Sequence, residues 1–150
     1  MKRILVLSLI VLSFVSCKKK KVKTQAELDE KIITNYITDN KLNAIATGSG
    51  LYYVVHDPGT GAQPNSGSTV VVNYKGSLKD GTVFDQSGAA GITISLNAVI
   101  KGWQEGIPLF KKGGRGVLLI PSSLGYGTQA TGKIPANSVL IFDIELLNVQ

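Results

Sequence analysis

Val99-Ile100-Lys101-Gly102-Trp103-Gln104-Glu105-Gly106 is the stretch on which the reading of this chain turns, because it holds the only tryptophan and sits between strand-like runs. Gly102 and Gly106 make it too broken for an ordinary long helix. One large aromatic at the start of a short helical turn, with Val and Ile just before it, suits the floor of an apolar pocket. Outward from it, Leu51 to His56, Val70 to Tyr74, Ile92 to Leu96, Val117 to Ile120 and Val139 to Leu146 are rich in β-branched and aromatic residues. In the second, third and last of these, polar residues interleave with apolar ones, as in a sheet with one covered face. Asp57-Pro58-Gly59-Thr60-Gly61, Lys79-Asp80-Gly81-Thr82, Lys112-Gly113-Gly114 and Gly125-Tyr126-Gly127 are turn signals, and Asp80-Gly81 favours a hairpin. The only helical candidate here is Ala98 to about Leu109, kept short by Gly102, Gly106 and Pro108. Antiparallel strands with one short helix on a sheet face predict an α+β domain over residues 48–150.

The usual catalytic apparatus is missing. His56, the sole histidine, stands beside Asp57-Pro58-Gly59 at an expected strand end and reads as a surface polar residue. No Ser-His-Asp set assembles, no His/Cys cluster has metal spacing, and Gly113-Gly114-Arg115-Gly116 lacks the Lys-Ser/Thr ending of a phosphate loop. No cofactor is expected.

The segment Val99 to Gly106 resembles the VI-x-GW-x-EG signature of FKBP-type peptidyl-prolyl cis-trans isomerases. Around it, in the order of that family, stand Val72-Asn73-Tyr74-Lys75-Gly76, Asp80-Gly81-Thr82-Val83-Phe84-Asp85, Leu124-Gly125-Tyr126-Gly127 and Leu140 to Leu146. The resemblance implies an FKBP-like antiparallel sheet wrapped on one short helix. It also implies a site with Trp103 as floor and Tyr74, Phe84, Val99, Ile100 and Phe142 as walls. Tyr126 and Asp85 then stand at the rim and Ile134 on a flap. In the family the backbone N–H at the Ile100 position and the Tyr126 hydroxyl donate to a ligand carbonyl, while the Asp85 carboxylate orients neighbouring groups. Prolyl isomerisation breaks no bond and needs only rotation past a barrier of ~18–20 kcal/mol set by amide resonance. The implied partners are proline-containing polypeptides and FKBP-class macrolides; the rival reading is a proline-segment binding module or chaperone without catalysis. Three departures stand out. Ile92-Thr93-Ile94 replaces an aromatic Phe-x-Phe-type strand, so one wall becomes aliphatic. Gln86 to Gly91 has no Arg near Asp85, which leaves Tyr74 or solvent as its partner. The flap, Gly127 to Pro135, is too short for an inserted chaperone domain.

The first third has a different character. Met1-Lys2-Arg3 precedes an almost wholly apolar run, Ile4 to Val15, whose 12 residues fall short of the ~20 that span a bilayer. This predicts a signal peptide over residues 1–16. Phe14-Val15-Ser16-Cys17 then resembles a bacterial lipobox, with Phe14 where Leu is usual, and makes Cys17, the only cysteine, a lipidation site. A cysteine carrying three acyl chains would anchor stably. Lys18 to Lys21 and Lys23 form a basic cluster that reads equally as a headgroup contact or as a solvated tether. Of the formal charge of +6, residues 48–150 hold seven cations and six anions, so the basic balance belongs to the leader and tether and predicts no nucleic-acid partner. Thr24 and Glu27 make a capping box, and Leu28, Ile32, Ile33, Tyr36 and Ile37 share one helix face, with Asp29, Glu30, Lys31, Thr34, Asp39 and Asn40 expected elsewhere. That predicts an amphipathic helix from Thr24 to about Ala46, a spacer ~30–35 Å long. It would pack on its own domain or meet a second copy, leaving the chain a monomer or a homodimer through this helix. Thr47-Gly48-Ser49-Gly50 reads as a hinge closing a 17–47 segment. The expected location is the cell envelope, on the outer membrane and facing the periplasm.

Overall fold

The computed structural model describes residues 22–150. The apolar run, Cys17 and Lys18 to Lys21 lie outside the described residues. The chain forms helix α1 (Gln25–Asp39), then strands β1 (Ile45–Ala46), β2 (Tyr52–Asp57), β3 (Thr69–Ser77), β4 (Val83–Gln86) and β5 (Ile92–Ser95). Helix α2 (Lys101–Gly106), β6 (Arg115–Ile120) and β7 (Leu140–Val149) follow, with single 3-10 turns at Leu96–Ala98, Ile107–Leu109 and Ser122–Leu124. All seven strands join one antiparallel sheet in the order β1-β2-β6-β7-β3-β4. β4 and β5 share the outer edge of β3, β5 along Thr69 to Val72 and β4 along Lys75 to Ser77. The hairpin expected at Asp80-Gly81 is present: Gly81 takes φ +86, and the Asp80 carboxylate accepts the Thr82 N–H at 3.0 Å.

Both faces of the sheet are covered, and the pattern along β6 shows why its sequence has no polar alternation. Leu118 and Ile120 face α2, while Val117 and Leu119 face the opposite side. That second side is closed by α1, whose Ile33 is fully buried among Val54, Val117, Leu119, Val139 and Ile141. A strand buried on both faces reads as a continuous apolar run. β7 makes the change mid-strand, since Leu140, Ile141 and Phe142 are all buried but Asp143 and Glu145 emerge to solvent.

The capping box at Thr24 forms as its spacing predicts: Thr24 Oγ1 accepts the Glu27 N–H at 3.3 Å, and Glu27 Oε2 accepts the Thr24 N–H at 2.8 Å. Of the two docking surfaces open to it, the helix takes its own sheet. Four expectations about this region need correction. The helix stops at Asp39, capped by Asn40 and followed by Lys41 at φ +53, so it is about 22 Å long and lies on the sheet rather than acting as a spacer. Ile45–Ala46 becomes an edge strand instead of the helix end. The Thr47 to Gly50 hinge is a pinned turn: the Thr47 and Ser49 hydroxyls both donate to Glu105 on α2, at 2.6 and 2.7 Å. Within α1, Leu28 is 41% exposed whereas Asp29 is buried, the reverse of the expected division.

Candidate active site

The short helix is shorter still than the sequence suggests. Val99 and Ile100 are extended, with ψ near 176° and 150°, and they separate the 3-10 turn at Leu96–Ala98 from α2. Two adjacent β-branched residues favour that extended break. α2 then runs for six residues and packs on the sheet through Gly102 and Gly106, where a Cβ would lie 2.5 Å from Ile120 and 2.6 Å from Leu118. This close approach seats Trp103 against β7 and β3.

The indole of Trp103, 5% exposed, is the centre of an aromatic cluster. Tyr74 and Phe142 meet it edge-on at centroid distances of 5.0 and 5.2 Å, and Phe84 meets Phe142 edge-on at 5.4 Å. Such T-shaped contacts add to area burial and fix ring orientation. Gly76 makes room for them, since a Cβ there would stand 2.5 Å from Phe84 and 2.8 Å from Phe142. Trp103 Nε1 is, among the described residues, the buried side-chain nitrogen or oxygen that finds no hydrogen-bond acceptor.

Above the indole opens a cavity of about 630 Å³. Tyr74, Phe84, Asp85, Val99, Ile100, Trp103, Tyr126, Ile134 and Phe142 all line it, so the nine residues singled out from the sequence converge on one space. Ile92 and Ile94 of β5 supply the aliphatic wall, and Thr131, Gly132 and Lys133 complete the flap. Thr131 and Ile134 pair as an isolated bridge, which turns the buried Ile134 inward and leaves Lys133 exposed at the rim. Sequence reasoning did not single out Ala98, Thr131, Gly132 or Lys133; each lies in a turn with no residue pattern of its own. His56, exposed on β2, is not among the lining residues.

The polar groups at the rim are few. The Tyr74 hydroxyl donates to Asp85 Oδ2 at 2.6 Å, and Asp85 Oδ1 accepts the Gln86 N–H at 2.9 Å. Of the two partners open to Asp85, Tyr74 is the one engaged. Burial first, and then the hydrogen bond to Asp85, push the Tyr74 phenol up to about 12, so it stays a neutral donor. Tyr126, 37% exposed, lines the cavity at its mouth. Among the described residues the Ile100 N–H makes no hydrogen bond to the protein. The cleft thus offers a large apolar floor and two donors at its edge, Tyr126 and Ile100.

A seven-stranded antiparallel sheet with one short helix on its face, and an aromatic-floored cleft between them, is an FKBP-like α+β fold. The chain belongs to the FKBP-type peptidyl-prolyl cis-trans isomerase family, whose sequence profile matches residues 60–147. It is 42% identical over 137 residues to an FKBP-type isomerase FkpA of Aeromonas hydrophila, which covers 85% of this chain and 51% of that one. With the FkpA of Escherichia coli K12 it shares 48% identity over 106 residues, 69% of this chain and 39% of the relative. The chain therefore spans about half or less of the length of these curated relatives. In three dimensions it is similar to the crystal structure of Escherichia coli FkpA, with a TM-score of 0.75 at 40% identity over 84% of this chain and 61% of that one. It is also similar to a peptidyl-prolyl cis-trans isomerase of Pseudomonas syringae pv. tomato, with a TM-score of 0.71 at 30% identity over 86% and 98%.

Proposed function

We propose that this chain is a prolyl cis-trans isomerase of the bacterial envelope that acts on exported, partly unfolded polypeptides. The observation that carries the reading is the buried Trp103 face under an apolar cavity, walled edge-on by Tyr74 and Phe142 and rimmed by two free donors. The proline ring of an X-Pro segment seats on the indole, and the aliphatic and aromatic walls exclude water from the amide. A planar amide is stabilised by charge separation that water supports, whereas the twisted amide has lost that resonance and is less polar at its carbonyl. A dry apolar site therefore favours the twisted form over the planar one. Each ~1.4 kcal/mol of that preference gives about a tenfold gain in rate. Ile100 N–H and the Tyr126 hydroxyl hold flanking substrate carbonyls, which orients the segment without proton transfer. Tyr74, neutral below about 12, holds Asp85 in place. Ile92 and Ile94 in place of rings make the wall smaller and support weaker binding of FKBP-class macrolides than in an all-aromatic pocket.

The location is part of the same proposal. The apolar run before Cys17 supports residues 1–16 as a signal peptide, Cys17 as the lipidated residue, and attachment to the outer membrane facing the periplasm. Among the described residues no helix is long and apolar enough to cross a membrane. Detergent partitioning of wild type beside Cys17→Ser tests the anchor, and identical aqueous behaviour of both would leave a secreted protein with a spare thiol. A peptide assay on the purified protein tests the activity. Acceleration of cis-to-trans conversion with no metal or nucleotide added is expected, with apolar residues preferred before the proline. A folded sample with no rate above background would leave the proline-segment binding module.

A further inference from the structure

We propose that Asp29, on the helix before the isomerase domain, is a positioning residue for the rim and flap of the cleft. The inference rests on the isomerase reading of that cleft. Asp29 lies outside residues 60–147, where the family profile matches, yet its side chain is among the few buried polar ones described, at 1% exposure. All three of its hydrogen bonds are accepted. Gln25 Nε2 donates to Oδ1 at 2.7 Å, while the Ser122 N–H and Ser122 Oγ both donate to Oδ2, at 2.8 and 2.6 Å. The bonds to Ser122 join residues 93 apart in the chain. Buried hydrogen bonds to a carboxylate are among the stronger polar contacts, and breaking one leaves donors unsatisfied.

Ser122 is the base of the segment that carries the polar rim. Its carbonyl accepts the N–H of Gly125 at 3.0 Å and of Gly127 at 2.8 Å, so it brackets Tyr126 from both sides. The Gly127 carbonyl in turn accepts the Asn137 N–H at 2.7 Å, which closes the loop holding Thr131 to Ile134. Asp29 thus holds the foot of a loop whose tip touches the substrate. Without it, two Ser122 donors are left in an apolar seam, and the turn shifts or admits water. Tyr126 and Ile134 would then sample positions away from the bound segment, and misplacement by about 1 Å is enough to cost a large factor in rate.

The test uses the full chain as wild type, Asp29→Ala, Asp29→Asn, Tyr126→Phe and the Asp29→Ala/Tyr126→Phe pair. Peptide isomerisation and amide hydrogen exchange over residues 122–137 are the readouts. Asp29→Ala is expected to lower kcat/KM about tenfold, and to speed exchange in that loop while β3 and β7 stay protected. Asp29→Asn should restore most of both, because its amide oxygen can accept both Ser122 donors and its NH2 can face a turned Gln25 amide. Tyr126→Phe should cost less in the Asp29→Ala background than in wild type, since the hydroxyl is already misplaced. Strictly additive losses, or faster exchange spread evenly over the sheet, would overturn the proposal and leave Asp29 as a stabiliser of α1 alone. If Asp29→Ala does not fold, Ser122→Ala takes its place, with the same pattern expected at about threefold. A wild type without isomerase activity sinks the proposed function; the exchange arm still decides whether Asp29 holds the loop.

Discussion

Gly102→Ala tests the seating of the pocket floor, because two well-known effects oppose each other there. Alanine in place of glycine within a helix ordinarily gains about 1 kcal/mol. Here the new Cβ would lie 2.5 Å from Ile120 Cγ2 and 2.8 Å from Ile120 Cδ1. Ordinary carbon contacts begin at 3.4 Å, so the overlap approaches an ångström. Ile120 is fully buried and β-branched, so it has no open rotamer to turn into. Overpacking of this kind costs about 1–3 kcal/mol. Set against the helix gain, a net loss of about 1 kcal/mol is expected, with α2 lifted from the sheet. Trp103 rides on that helix, so kcat/KM should fall about tenfold or more. Urea unfolding followed by the fluorescence of the single tryptophan gives the stability, and a peptide assay gives the activity. A second substitution sharpens the sign. Ile120→Val alone should cost about 0.5–1.5 kcal/mol, yet in the Gly102→Ala background it should be neutral or stabilising. A Gly102→Ala protein more stable than wild type, with unchanged kcat/KM, would refute the close seating of α2.

Trp103→Ala should destabilise by about 3–5 kcal/mol and abolish activity, whereas Trp103→Phe, which also removes the unpartnered N–H, should cost far less in a denaturant melt. Asp85→Asn should keep the fold and lower kcat/KM by about two- to fivefold, because its amide oxygen still accepts the Tyr74 hydroxyl; a loss of folding equal to that of Trp103→Ala would make Asp85 structural. In an alkaline spectrophotometric titration, one tyrosine should ionise only at about pH 12, and that signal should vanish in Tyr74→Phe. With its folded value raised from 10.0 to about 12, its contribution to stability is fully present below pH ~10 and is lost as pH rises to ~12. The alkaline limb of unfolding in wild type should flatten in Tyr74→Phe.

The sheet and the site were legible in the sequence for different reasons. β3 and β7 show alternation because part of each faces solvent, and Trp103 and Tyr126 stand out because glycines flank them on segments that are neither strand nor long helix. Ile33, Tyr36 and Ile37 mark an apolar stripe, but the stripe alone does not say what it meets. The answer lay in β6, where Val117-Leu118-Leu119-Ile120 lacks a polar face because α1 covers it. The helix end was misplaced because Leu42 and Ala44 continue to pack against the same cluster after the backbone has turned at Lys41, and so prolong the apolar pattern. Asp29, being polar, reads as lying off the apolar face, although it sits one turn before Ile33 on the same stripe. β4 has four residues and no alternation long enough to read, so Val83 to Gln86 was visible only as a motif.

The strand latest in the chain, β7, lies between β6 and β3, with both hairpin-side edges built outward from it. Until Leu140–Val149 has emerged, β6 and β3 share no neighbour, and neither apolar layer can close. The sheet therefore closes only when β7 arrives, and its contacts form late and at long sequence separation. That delay leaves the edges of β3 and β6 that β7 will pair exposed until it arrives. Removal of β7 alone would leave a chain that neither folds nor stays soluble, although no residue before Leu140 would have changed.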